Sequence, residues 1–224
     1  MKSDAEVVAV SAGRKNKISE AAANTILEAG EFSGRLFSLS EREIVPCAAC
    51  NGCVESGKCV KDDGLEDILE SMKKAGAIIF SGPEYWDGMN ALGRAFWERV
   101  CFSTRHLGRF PLEDKIGIIV GISGDGDSRG VIEDARIFME DARIDIADEV
   151  EVQGEYACFT CGYGDDCEVG GLAGIYDLPL EITEDIIPDL TNQCPHTNSP
   201  VSGIKKRLQK IAGEIEESLQ HRRD

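Results

Sequence analysis

Two hydrophobic rhythms alternate along the chain. Apolar stretches at Val7–Val10, Ala77–Phe80 and Lys115–Ile122 read as strands buried on both faces, the habit of a parallel sheet. A further strand is expected at Arg35–Leu39, and residues 143–152 supply a fifth. Between them, apolar residues recur at helical spacing. Residues 19–30 form the first helix, with Ser19 as its N-cap and Gly30 as its stop. Asp62–Ala75 places Leu65, Ile68, Leu69 and Met72 on one face, and Asn90–Cys101 carries Leu92, Ala95, Phe96 and Val100. A helix over 131–142 follows the glycine-rich loop Ser123–Gly130. Strand and helix in alternation predict an open, parallel, five-stranded α/β sheet.

The rhythm stops at about residue 155. Residues 155–203 are rich in glycine, cysteine and acidic side chains and have no period, which is long for a loop without a purpose. A last amphipathic helix, about 203–220, aligns Ile204, Leu208, Ile211, Ile215 and Leu219. The chain therefore divides into an α/β domain (1–154) and a cysteine-rich C-terminal extension ending in a helix (155–224).

The nine cysteines change this picture most. Cys47, Cys50, Cys53 and Cys59, within residues 46–60, follow the spacing Cys-x2-Cys-x2-Cys-x5-Cys. Thiolates are soft donors that suit iron–sulfur clusters and zinc. Three ligands in immediate succession and a fourth just beyond fit a [4Fe-4S] cluster better than zinc, which is usually held by two separated Cys-x2-Cys pairs. Redox-active thiols are the other alternative. Cys158, Cys161 and Cys167 repeat part of the spacing, and Cys194 before Pro195 would complete a second set of four. Whether that set binds a second cluster, zinc or nothing stays open. Cys101, inside an apolar helix, is expected to be a buried thiol.

Two loops carry further chemistry. Ser11-Ala-Gly13-Arg14-Lys15-Asn16-Lys17-Ile-Ser19 joins a strand to a helix. It offers amides, hydroxyls and cations where a helix N-terminus receives phosphate, yet it is neither a Walker motif nor a dinucleotide fingerprint. Ser81-Gly-Pro83-Glu84-Tyr85-Trp86-Asp-Gly88-Met89 follows the third strand, and Tyr85 and Trp86 can line a flat ligand or simply pack. Both loops fall at strand carboxyl ends, where open sheets bind ligands. No side chain stands out as catalytic. His106, expected near the flat ligand, and His196 and His221 have no partner visible in the sequence.

A net charge of −17 opposes binding to nucleic acid or to an anionic membrane. No apolar run approaches the roughly 18 residues of a membrane span, and no secretory leader is apparent, so a reducing cytoplasm is expected.

Taken together, the cysteine motif and the two loops resemble the iron–sulfur flavoprotein family, related to flavodoxin and to NAD(P)H-dependent FMN reductases. The resemblance covers roughly residues 5–150. Cys47, Cys50, Cys53 and Cys59, with Asp62-Asp63 soon after, match its compact cluster motif. Arg14 and Lys15 match its phosphate loop and Ser19 replaces a threonine with the same hydroxyl role, while Ala12, Gly13 and Lys17 depart from the usual residues. Pro83 and Tyr85 match its flavin loop, where Glu84 is unusual and places a carboxylate near the expected ring. The resemblance implies a flavodoxin-like sheet with helices on both faces, FMN and [4Fe-4S] as cofactors, and a homodimer or homotetramer typical of anaerobes. The expected function is electron transfer from a ferredoxin-like donor. An NAD(P)H-dependent flavin or quinone reductase is the main alternative, and a redox sensor or assembly subunit with a structural metal is a third.

Overall fold

The computed structural model describes residues 6–30, 32–190 and 204–222. Five parallel strands form one sheet: β1 (Glu6–Ser11), β2 (Ser33–Ser38), β3 (Ala77–Pro83), β4 (Ile116–Ser123) and β5 (Asp145–Gln153). Their order is β2-β1-β3-β4-β5. The connection reverses direction between β1 and β3, which makes that boundary the switch point where open sheets leave a crevice.

The continuous apolar strands are explained by burial on both faces. Val8, Val10, Ile78, Phe80 and Ile119 point to one side of the sheet, and Val7, Ala9, Ile79, Ile118 and Val120 to the other. Three helices cover the first side: α2 (Leu65–Lys74), α3 (Ala91–Arg105) and α4 (Arg129–Asp141). Two cover the second: α1 (Ile18–Ala29) and α5 (Ile204–His221). The terminal helix buries Leu208, Ile211 and Ile215 in the same core as β1, β3 and β4. Each such side chain contributes about 2 kcal/mol of transfer free energy. The helix is thus part of the sheet's own packing.

β5 is one of the two edges of the sheet, and it is acidic. Glu149 accepts from Arg136 at 2.8 and 2.6 Å, and Asp148 pairs with Arg207. Charges on an edge strand discourage pairing with another sheet.

Several boundaries differ from the sequence expectation for identifiable reasons. Lys17, not Ser19, is the N-cap of α1, and it makes no side-chain capping bond. Ser19 is the second residue of the helix and is buried. α2 starts at Leu65 instead of Asp62. The Asp63 carboxylate accepts the amides of Val45 and Leu65 at 3.3 and 3.4 Å, and Gly64 takes a left-handed φ of 82°. α3 extends past Cys101 to Arg105. Asn90 caps it, accepting from the Gly93 amide at 3.0 Å. Residues 155–190 contain short 3-10 turns at Ala157–Phe159, Gly171–Gly174 and Glu184–Ile186. Cys194, Pro195 and His196 lie outside the described residues.

Candidate functional site

The loop after β1 is fastened from two sides. The Ala12 amide donates to the Ser81 carbonyl of β3 at 2.8 Å, and the Asn90 side-chain amide donates to the Ala12 carbonyl at 2.8 Å. One asparagine therefore caps α3 and holds the loop. Inside the loop, the Gly13 amide donates to the buried Ser11 hydroxyl at 3.3 Å. A Cβ at Gly13 would stand 2.3 Å from the Ser19 hydroxyl, so only glycine lets the backbone close over Ser19. Asn16 adopts φ 56°, and its amide donates to Glu20 at 2.7 Å.

Gly13, Arg14, Lys17 and Ser19 line one cavity of about 130 Å³ with Pro83 and Tyr85 of the loop after β3, Ile122 of β4, and Glu155 and Ala157. The structure thus brings the two expected loops together across the switch point. Lys15 lies outside this cavity, paired with Glu41. Arg14 donates to Glu155 at 2.8 Å and to Thr160 at 3.0 Å, and Lys17 approaches Glu155 at 2.9 Å. Cations, a serine hydroxyl and a glycine turn are the donor set a phosphate requires. The carboxylate already seated there shows that the cradle accommodates an anion.

The loop after β3 corrects part of the expectation. Glu84 does not line this cavity. Its carboxylate accepts the amides of Gly130 and Val131 at 2.9 and 3.3 Å, at the start of α4. Burial, against the pull of those amides, holds its pKa above the ordinary carboxylate value. Trp86 lines no part of the cavity. It is 100% exposed with φ 57°, at the tip of a tight turn in which the Tyr85 amide donates to the Gly88 carbonyl at 2.8 Å. Gly88 sits beside Asp134, whose carboxylate takes the Met89 amide at 2.8 Å. Tyr85 alone of the two aromatics meets the cavity.

The second locus follows β2. Cys47, Cys50, Cys53 and Cys59 line one cavity of about 50 Å³ with Arg99, Phe102, Ser103 and His106 of the α3 side. His106, expected near the flat ligand, belongs here instead. The buried Arg99 guanidinium donates to the Cys59 sulfur at 3.2 and 3.4 Å, to the Val45 carbonyl at 3.1 Å and to Asp63 at 3.0 Å. The Ala49 amide donates to the Cys47 sulfur at 3.4 Å. Burial, then the neighbouring sulfurs of Cys59, Cys47 and Cys50, pushes the Cys53 thiol up. Four thiols on one cavity, with hydrogen bonds already aimed at two of the sulfurs, form a donor set suited to a thiophilic metal or cluster. Among the described residues, however, no three Cys, His, Asp or Glu side chains converge closely enough to enclose a single ion.

Arg99 was not singled out in the sequence. Its signal is there in retrospect: of the three arginines on α3, Arg99 stands four and three residues after Ala95 and Phe96, on the apolar stripe of the helix and downstream of an acidic pair. Glu155 and Thr160 carried no such signal. Cys101 is buried as expected, with its pKa pushed up to about 12 by burial, and it donates to the Phe138 carbonyl at 3.3 Å.

The family model described as NADPH-dependent FMN reductase matches residues 5–147. An iron–sulfur flavoprotein of Methanocaldococcus jannaschii is 34% identical over 119 residues, 52% of this chain and 60% of that protein. One from Methanosarcina thermophila is 32% identical over 108 residues, 48% of this chain and 55% of that protein. The match thus spans little more than half the length of these curated relatives. An azoreductase structure from Bacillus anthracis str. Sterne superposes with a TM-score of 0.56, covering 94% of this chain and 99% of that one at 11% identity. An oxidoreductase from Corynebacterium diphtheriae gives 0.55, covering 98% and 99% at 14% identity. At such identities the likeness concerns the fold.

Proposed function

The chain belongs to the NADPH-dependent FMN reductase family, and on that premise we propose that it is a flavin-dependent oxidoreductase holding FMN across the β1 and β3 loops. The observation that carries this reading is the cavity shared by Gly13, Arg14, Lys17, Ser19, Pro83, Tyr85 and Ile122 at the switch point. Arg14 and Lys17 supply the charge for the phosphate, with Ser11, Asn16 and Ser19 in the same loop. Pro83 and Tyr85 supply an apolar wall for the ring. Bound there, FMN supplies exchange between two-electron and one-electron partners. The residues themselves position and screen. No acid–base side chain is required of them.

A second reading adds an iron–sulfur cluster on Cys47, Cys50, Cys53 and Cys59, with a ferredoxin-like donor and a homo-oligomer. It is supported by the cavity those cysteines share and by the guanidinium directed at Cys59. Hydrogen bonds to a ligand sulfur raise a cluster's potential, so Arg99 would tune it.

Anaerobic purification with assay of flavin, iron and sulfide tests both readings. FMN bound to the protein and consumed NADPH support the reductase. About four irons per chain with matching sulfide, and reduction by a ferredoxin in preference to NADPH, support the second reading. A protein that retains no flavin even after reconstitution would sink the proposal.

A further inference from the structure

The phosphate cradle already contains an anion of the chain's own. The Glu155 side chain is only 6% exposed, whereas its partners Arg14 and Lys17 are 42% and 38% exposed. The carboxylate lies inside and the cations reach over it, the arrangement of a ligand in its binding loop. Both cations meet the same oxygen, at 2.8 and 2.9 Å. The remaining cation of the loop, Lys15, is paired with Glu41, and the Asn16 amide is taken by Glu20. Every cation of this loop is therefore matched by a carboxylate from elsewhere in the chain. Glu155 also lines the cavity expected to hold the flavin.

We propose that Glu155 competes with the flavin phosphate for Arg14 and Lys17, and so sets how strongly the pocket distinguishes FMN from riboflavin. This rests on the flavin reading above. A phosphate and a carboxylate cannot share two cations at this distance without strong like-charge repulsion. FMN enters only as Glu155 leaves. Because Arg14 also donates to Thr160, displacement frees residues 155–160 from the β1 loop. Riboflavin, lacking the phosphate, leaves the Glu155 contacts intact. Loading with the phosphorylated flavin is thereby coupled to the position of the segment that carries Cys158 and Cys161.

The test is titration of flavin-free protein with FMN and with riboflavin, followed by fluorescence, for the native chain and for Glu155→Gln. Glutamine keeps the size and a hydrogen-bonding oxygen but removes the charge. Glu155→Ala provides a second variant, and both are first checked for a native-like cooperative melt. The expected result is FMN affinity increased about tenfold, the worth of one charge-assisted contact, with riboflavin affinity unchanged. Inorganic phosphate should raise the melting temperature of both variants more than that of the native chain. Equal FMN affinity in all three proteins, weaker FMN binding in the variants, or a parallel change for riboflavin would overturn the proposal. If no protein binds either flavin, the flavin reading fails, and the phosphate measurement still decides whether Glu155 occupies an anion site.

Discussion

The two cysteine-bearing regions share local chemistry and differ in what lies behind them. In each, a backbone amide two residues on donates to a sulfur at 3.4 Å: Ala49 to Cys47, and Tyr163 to Cys161. In each, a left-handed residue bends the chain near the thiols, Ala49 at φ 50° and Gly162 at φ 84°. A Cβ on Gly170 would stand 3.3 Å from the sulfurs of both Cys158 and Cys167, so these two thiols approach the same glycine. The first region leans on a core helix and receives a buried guanidinium. The second rests on 3-10 turns beside the exposed Tyr163, and among its described cysteines no cation bonds a sulfur. Backbone turns can prepare sulfur acceptors wherever glycine or a tight bend allows. Neutralising clustered thiolates requires charge brought from a distant part of the chain, and that is present at Cys59.

The largest expected effect concerns iron. On the cluster reading, Cys59→Ser should remove nearly all protein-bound iron, while Cys158→Ser should leave it unchanged, as measured colorimetrically after anaerobic reconstitution. Equal loss in both would erase the distinction between the regions. Next comes stability. Arg99→Ala leaves Asp63 half-buried without its cation and should cost about 3–5 kcal/mol in urea unfolding of the metal-free chain. Tyr163→Ala, a matched truncation in the second region, should stay within about 0.5 kcal/mol. Similar costs would show that Arg99 is no special anchor. The smallest effect is in acid. Burial works to raise the Asp63 pKa, but hydrogen bonds from Arg99 and from the amides of Val45 and Leu65 outweigh it and hold the carboxyl below its ordinary 3.8. A depressed pKa adds stability that is fully present above the ordinary value and is lost as pH falls from there through the lower pKa of the folded state. The native chain should therefore lose more stability than Asp63→Asn between neutral pH and about pH 3, read from urea midpoints. Parallel pH curves would contradict the pairing.

Much of the fold was legible because its signals are local. Strands buried on both faces leave unbroken apolar runs, and helices that cover them leave one-sided spacing. The same holds for Cys47, Cys50, Cys53 and Cys59, whose spacing brings them to one cavity. What escaped the sequence is pairing across distance. Arg14 meets Glu155 from 141 positions away, and Arg99 meets Cys59 from 40. No period or motif announces either. Glu84 shows the converse: beside Tyr85 it reads as a neighbour of the ligand, yet the free amides at the start of α4 draw it away. Ser19 looks like a cap in the sequence and serves instead as the surface against which Gly13 closes.

The chain contains two tryptophans, and they occupy opposite environments. Trp97 is sealed among Phe80, Phe96 and Phe138, while Trp86 stands wholly in solvent at the tip of the β3 loop. Indole emission shifts with polarity, and a water-soluble quencher reaches only the outer ring. The molecule thus contains two separable optical channels without any added label. One reports whether the interior is intact, and the other reports whatever settles on the tip of the β3 loop.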